Sequence, residues 1–199
     1  MFDYLISSMG GVGSTGFMDY VKRYRSTNHN HFRPGSSPYK HALRPPCESH
    51  IRKALFMFGD PYNAVLSLNR RGLESIHLVN RGLRLDPNPP EQRIDLEAFL
   101  ADLKDPYELE LQFDSWRNAQ VPYPILFVKY ETMWNHREAI LDYLDIGRSE
   151  LDAFPPYRPR SSDWTKTPAS TQTLLASIYG PLFEKIRVMD EISQRLPCA

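Results

Sequence analysis

Cysteine is scarce in this chain. Cys47 and Cys198 are the only 2 among 199 residues, too few for a disulfide framework, so a reducing compartment is expected and the core must close by apolar burial. Cys47-x-x-His50 supplies half of a metal-ligand pattern with no second pair, which argues against a metal site. Long apolar runs are missing too. No stretch reaches the about 18 residues of a membrane span, and Asp3 interrupts the N-terminus, so neither a span nor a signal peptide is expected. With a strand expected almost from Met1, no leader is expected, and the expected location is cytoplasmic. Net charge is absent, with 24 Lys and Arg against 24 Asp and Glu, which removes the global attraction of a nucleic-acid or membrane-surface binder. Internal repeats and low-complexity tracts are lacking as well. The length suits one domain over residues 1–199.

What charge there is lies unevenly. Lys22, Arg23, Arg25, Arg33, Lys40, Arg44, Arg52 and Lys53 face only Glu48 within their span, while Asp95, Glu97, Asp102, Asp105, Glu108, Glu110 and Asp114 form an acidic stretch. The basic segment follows directly on Met9-Gly10-Gly11-Val12-Gly13-Ser14-Thr15-Gly16. There a short apolar strand runs into small residues and a helix begins. Small residues let a backbone approach a ligand, and the amides and dipole of a helix start favour an anion. The loop therefore reads as a phosphate-type cradle.

Three cradles compete. A Walker loop needs Lys and then Ser or Thr after its second glycine; Phe17 and Met18 stand there instead. Gly11, Gly13 and Gly16 match Gly-x-Gly-x-x-Gly, the basis of a dinucleotide-dependent oxidoreductase reading. That reading also needs a second strand ending in an acid, and no acid lies between Asp19 and Glu48. The third cradle holds the 5′ side of a phosphosulfate nucleotide.

Strands are expected near 2–8, 53–59 and 124–130. Helices are expected over about 15–24, from Asp60-Pro61 to Gly72, over 74–80, from Asp95, from Asp105-Pro106, over 132–146 up to Gly147, and from Thr167-Pro168 with a kink or restart at Pro181. Residues 26–46 and 86–93 read as loops. Strands alternating with helices give an α/β fold with a mostly parallel central sheet flanked by helices. Ligands in such sheets sit beyond the C-terminal strand ends, where Ser8, Gly59 and Tyr130 lead.

In this order, the segments resemble the sulfotransferases that use 3′-phosphoadenosine 5′-phosphosulfate (PAPS). Met9 to Thr15 is similar to that family's Pro-Lys/Arg-Ser-Gly-Thr-Thr loop, with Gly13, Ser14 and Thr15 on its Gly-Thr-Thr. Lys40-His41 is the nearest match to its Lys-Thr-His. Asp60-Pro61, with Ser67 at the family's distance, resembles the Arg-Asn/Asp-Pro turn and the serine that hold the 3′-phosphate. Trp116, Phe127-Val128-Lys129-Tyr130-Glu131, Arg158-Pro159-Arg160-Ser161-Ser162-Asp163-Trp164 and Tyr179-Gly180-Pro181-Leu182 resemble later segments.

The resemblance implies a P-loop-like three-layer fold and sulfuryl transfer from PAPS to a hydroxyl or amine on a small-molecule, glycan or lipid acceptor, releasing the 3′,5′-bisphosphate PAP. It implies His41 as base with Lys40 beside it. Gly11, Val12, Gly13, Ser14, Thr15, Gly16, Ser67, Arg71 and Arg160 would hold the nucleotide, without a metal. Two departures stand out: Gly11 and Gly59 occupy places where the family carries a basic residue. Lys40, Arg44, Arg70 and Arg71 are the candidates for replacement charge. The same departures motivate a second reading, a degenerate sulfotransferase-like module that binds a nucleotide or partner without turnover. Trp164 reads as packing, and Glu131 as an internal hydrogen-bond partner.

Overall fold

The structure, a computed structural model, describes residues 2–28, 39–70, 95–102 and 105–198. Among them, strands β1 (Tyr4–Ser8), β2 (Lys53–Phe58), β3 (Ile125–Lys129) and β4 (Ile192–Arg195) form one sheet in the order β1-β2-β3-β4. β1, β2 and β3 run parallel, with Tyr4 opposite Lys53 and Ala54 opposite Ile125. β4 is antiparallel to β3, with Ile125 opposite Arg195. The fold is α/β with a mostly parallel sheet, as expected. β4 was not expected: Ile-Ser-Gln-Arg has no apolar run, and it is a strand only through its pairing with β3.

The helices are α1 (Ser14–Val21), α2 (Pro61–Arg70), α3 (Leu96–Asp102), α4 (Leu109–Arg117), α5 (Arg137–Tyr143) and α6 (Ala169–Arg187). Two starts follow the sequence logic. Asp60 Oδ1 accepts from the Asn63 amide at 3.1 Å and Asp95 Oδ1 from the Ala98 amide at 2.8 Å, each supplying an acceptor to an otherwise orphaned donor.

Three expectations need correction. The helix expected from Asp105-Pro106 begins at Leu109, after Glu108 turns left-handed at φ 48°. The segment 132–146 divides into a 3-10 turn, Met133–His136, and α5, and the chain reverses at Asp145 (φ 56°) before Gly147 is reached. Of the kink or restart expected at Pro181, the restart does not occur: α6 is continuous across it. The expected end at Gly72, helix 74–80 and loop 86–93 lie outside the described residues.

β1 to β3 are apolar on both faces because both are covered; Leu5, Ile6, Leu55, Phe56 and Ile125 are fully buried. Each such side chain contributes about 1.5–3 kcal/mol. Phe56 stacks on Trp116 of α4 at 4.8 Å and Phe58 meets Phe113 edge-on at 5.6 Å, so alternate β2 residues key one face to α4.

At the N-terminal strand ends, the Asp145 carboxylate accepts from Tyr4 Oη at 2.6 Å and Lys53 Nζ at 2.7 Å, tying β1 and β2 to the turn after α5. Along the outer side of β1, the buried carboxamide of Asn28 accepts from the Ile6 amide at 2.8 Å and donates to the Ile6 carbonyl at 3.0 Å. Three parallel strands leave Ser8, Phe58 and Lys129 on one edge of the sheet, and the cleft described next opens there.

Candidate anion-binding site

The loop leaving β1 turns at Gly11 (φ +79°) and Gly13 (φ +68°), a backbone region that disfavours any side chain. Space excludes one as well. A β-carbon on Gly11 would stand 2.3 Å from the Ala64 carbonyl oxygen of α2, and one on Gly13 would stand 2.6 Å from the Tyr130 ring. The close approach of α2 therefore excludes any side chain at position 11, including the basic residue that the resemblance places there. Gly13 is also the N-cap of α1 and supplies no capping side chain.

A cleft of about 150 Å³ opens beside this loop, lined by Gly11, Gly13, Ser67, Arg70, Tyr130 and the segment Arg158 to Ser162. Its volume is below the roughly 300–1,000 Å³ of pockets that enclose a whole drug-sized ligand. It has room for a charged part of a larger ligand rather than for a whole one. Arg70, Arg158 and Arg160 bring guanidinium charge to the lining, and Ser67, Ser161 and Ser162 bring hydroxyls. The Ser162 hydroxyl is buried with no hydrogen-bond partner among the described residues.

Arg160 is the best-held of these cations. Its Nη2 pairs with Glu131 Oε1 at 2.7 Å, its Nη1 donates to the Gly11 carbonyl at 3.4 Å, and its guanidinium lies 4.7 Å from the Tyr130 ring centroid. Glu131 Oε1 also accepts from the Asp60 amide at 3.1 Å, the internal role expected of it. A β-carbon on Gly59 would stand 2.8 Å from Glu131 Oε1 and 2.9 Å from Arg160 Nη2. Thus the space that a side chain at position 59 would take is filled by the Glu131 carboxylate and a guanidinium from a distant loop. Burial raises the Asp60 and Tyr130 pKa values; for Asp60 the Asn63 amide and the Arg160 charge pull the other way.

A second cluster forms at the start of α1. Ser8 Oγ donates to the buried Ser14 Oγ at 2.8 Å, and Lys40 Nζ donates to Thr15 Oγ1 at 2.6 Å. His41 Nδ1 lies 3.0 Å from the Ser8 carbonyl. The Ser8 hydroxyl lies 3.3 Å from the same nitrogen; in the tautomer with the proton on Nδ1, the ring donates to the carbonyl and Nε2 is its basic nitrogen. The segment carrying His41 is held by α4: Gln112 Nε2 and Trp116 Nε1 both donate to the Ala42 carbonyl at 2.9 Å.

Gly11, Gly13, Ser67 and Arg160 thus share the cleft, while Ser14, Thr15, Lys40 and His41 gather at the helix start. Val12 is fully buried in the core and is not part of the cleft lining. Gly16 is exposed, and a β-carbon there would meet open space. Arg71 lies outside the described residues. Arg44 is exposed. Trp164 packs edge-on against Tyr62 at 4.9 Å. Gln112 escaped sequence reading, since a polar residue inside an apolar pattern gives no sign of what its tip will meet, and Ser8 and Ser162 were named there only within longer segments, with no role of their own.

Compared with known proteins, the chain has no significant match among family models, curated proteins or solved structures. Among the described residues, no helix is long and apolar enough to cross a membrane.

Proposed function

We propose that the chain is a PAPS-dependent sulfotransferase with a P-loop-like cradle. One observation carries this reading: Gly11, Gly13, Ser67 and Arg160, drawn from three separate sequence segments that resemble phosphate-holding motifs in the family's order, line a single cleft. The Gly11–Gly16 loop and the amides opening α1 would hold the 5′ end of the donor, and Ser67 and Arg160 its 3′-phosphate. The donor supplies the sulfuryl group and a stable bisphosphate leaving group.

The chain's own residues do the rest. Lys40 stands on Thr15, where its charge would offset the negative charge growing on the leaving oxygen. His41 Nε2 would take the proton from the acceptor hydroxyl or amine as that atom bonds to sulfur and the sulfur–oxygen bond to the 5′-phosphate breaks. Ser8, Gln112 and Trp116 keep that ring and its segment in place.

Calorimetric titration with PAP in EDTA tests the reading. Micromolar binding, weakened by Ser67→Ala and by Arg160→Ala, is expected; no binding by the intact chain overturns it. The pairing of Arg160 with Glu131 favours one alternative, a module that binds the nucleotide without turnover. Transfer of labelled sulfate from PAPS removes that alternative.

A further inference from the structure

We propose that Glu131 is a built-in counter-anion: it holds Arg160 in the cleft until a phosphate-type group takes its place. The inference rests on reading the cleft as a phosphate site and names how that site is kept ready.

The contact between the two residues is close but poorly aligned. Arg160 Nη2 and Glu131 Oε1 are 2.7 Å apart, yet Arg160 Nε, Arg160 Nη2 and Glu131 Oε2 are all buried without a hydrogen-bond partner among the described residues. Buried polar groups are nearly always satisfied, and an unsatisfied one in a lining points to a missing partner. Nε and Nη2 form the side edge of the guanidinium, which takes two oxygens of a phosphate or carboxylate side by side. Glu131 fills that role with one oxygen only. A tetrahedral oxyanion presents more acceptors, including one for the Ser162 hydroxyl, which is also buried and unpartnered in the same lining.

The surroundings fit an exchange rather than a fixed ion pair. The Arg160 guanidinium is held from other directions by the Gly11 carbonyl and the Tyr130 ring, so it stays in place when its counter-ion changes. Glu131 keeps a second anchor, the Asp60 amide. Gly59 is what lets the arrangement exist, because its missing β-carbon leaves the space that the carboxylate and Nη2 occupy. A carboxylate beside the guanidinium opposes a second anion by charge, so an arriving phosphate must displace it. Glu131 is accordingly a positioning residue that also sets the strength of the grip.

The test titrates the intact chain with inorganic phosphate by calorimetry. Glu131→Gln keeps the shape and the acceptor for Asp60 but removes the charge, and it is expected to bind phosphate about tenfold more tightly than wild type. Arg160→Ala added to it should abolish the gain, and Glu131→Asp should restore the wild-type affinity. Equal or weaker binding by Glu131→Gln, or no binding by either protein, overturns the proposal. A readout on the wild-type chain covers a variant that fails to fold: the Arg160 Nε–H resonance, assigned with Arg160→Lys, should shift as phosphate is added, and no shift overturns it equally. PAP is run beside phosphate. If PAP binds no better than phosphate, the nucleotide reading falls while the exchange stands.

Discussion

The Nη2 nitrogen of Arg160 lies 2.9 Å from the point where a β-carbon on Gly59 would stand. Each residue therefore determines what the other can be. Gly59→Ala is expected to push the Glu131–Arg160 pair aside. The three obstructing atoms, Arg160 Nη2 and both Glu131 carboxylate oxygens, are ends of flexible side chains, so the cost should stay under about 2 kcal/mol in urea unfolding. The larger effect should appear in PAP titration, as weakened binding.

Gly11 contrasts with it, because the obstruction there is the backbone of α2. Gly11→Ala must adopt φ +79° and place a β-carbon 2.3 Å from the Ala64 carbonyl. A loss of about 3 kcal/mol or more is expected from strain and overpacking together. Gly11→Lys should likewise fail to raise sulfuryl transfer. A stable, more active Gly11→Lys protein would show that Lys40 is not the substitute cation.

His41 and Lys40 should separate binding from chemistry. His41→Ala is expected to lower the transfer rate by about 10²–10⁴ while leaving PAP affinity nearly unchanged. Lys40→Ala should lower it by about 10²–10³. Melting temperatures should stay close to wild type in both, since neither side chain lies in the core.

Asp145 links stability to acid. Burial alone would raise its pKa, but hydrogen bonds and charge from Lys53, with a hydrogen bond from Tyr4, carry it below the ordinary 3.8. A depressed carboxyl contributes stability above its unfolded pKa and loses it as pH falls through the folded value. The melting-temperature advantage of wild type over Asp145→Asn should be steady above about pH 5 and shrink below pH 3.8. Asparagine tolerates the left-handed φ of 56° well, so backbone strain does not confound the comparison.

Asp60 has the opposite sign. Its pKa is raised above 3.8, chiefly by burial, so the folded state holds the proton more tightly than the unfolded chain. Ionisation then costs stability as pH rises from 3.8 through the folded value. Asp60→Asn retains an acceptor for the Asn63 amide. Its melting temperature relative to wild type should climb over that window and then level off; a flat difference would contradict the assignment.

Fold and site were unequally legible. β1, β2 and β3 announce themselves because burial on both faces leaves continuous apolar runs, and the caps at Asp60 and Asp95 are local chemistry. The left-handed turns at Glu108 and Asp145 are not, since neither residue type demands that conformation. β4 exists only through its partner strand. At the site, Gly11 and Gly13 can be read from the need for an open backbone. That Ser67 and Arg160 line one cleft with them followed from a family resemblance, not from spacing. The Glu131–Arg160 pair joins loops far apart in the chain, and no local pattern encodes it. Gly59 looked like a loss until its vacant volume was seen to be filled.

Asn28 has one more consequence. Its carboxamide mimics a peptide unit, so the rung at Ile6 on β1, the border strand among the described residues, is already taken. Exposed strand borders recruit foreign chains through unmet amides and carbonyls. Replacing Asn28 with alanine would reopen that rung, and the change should register first as self-association in light scattering.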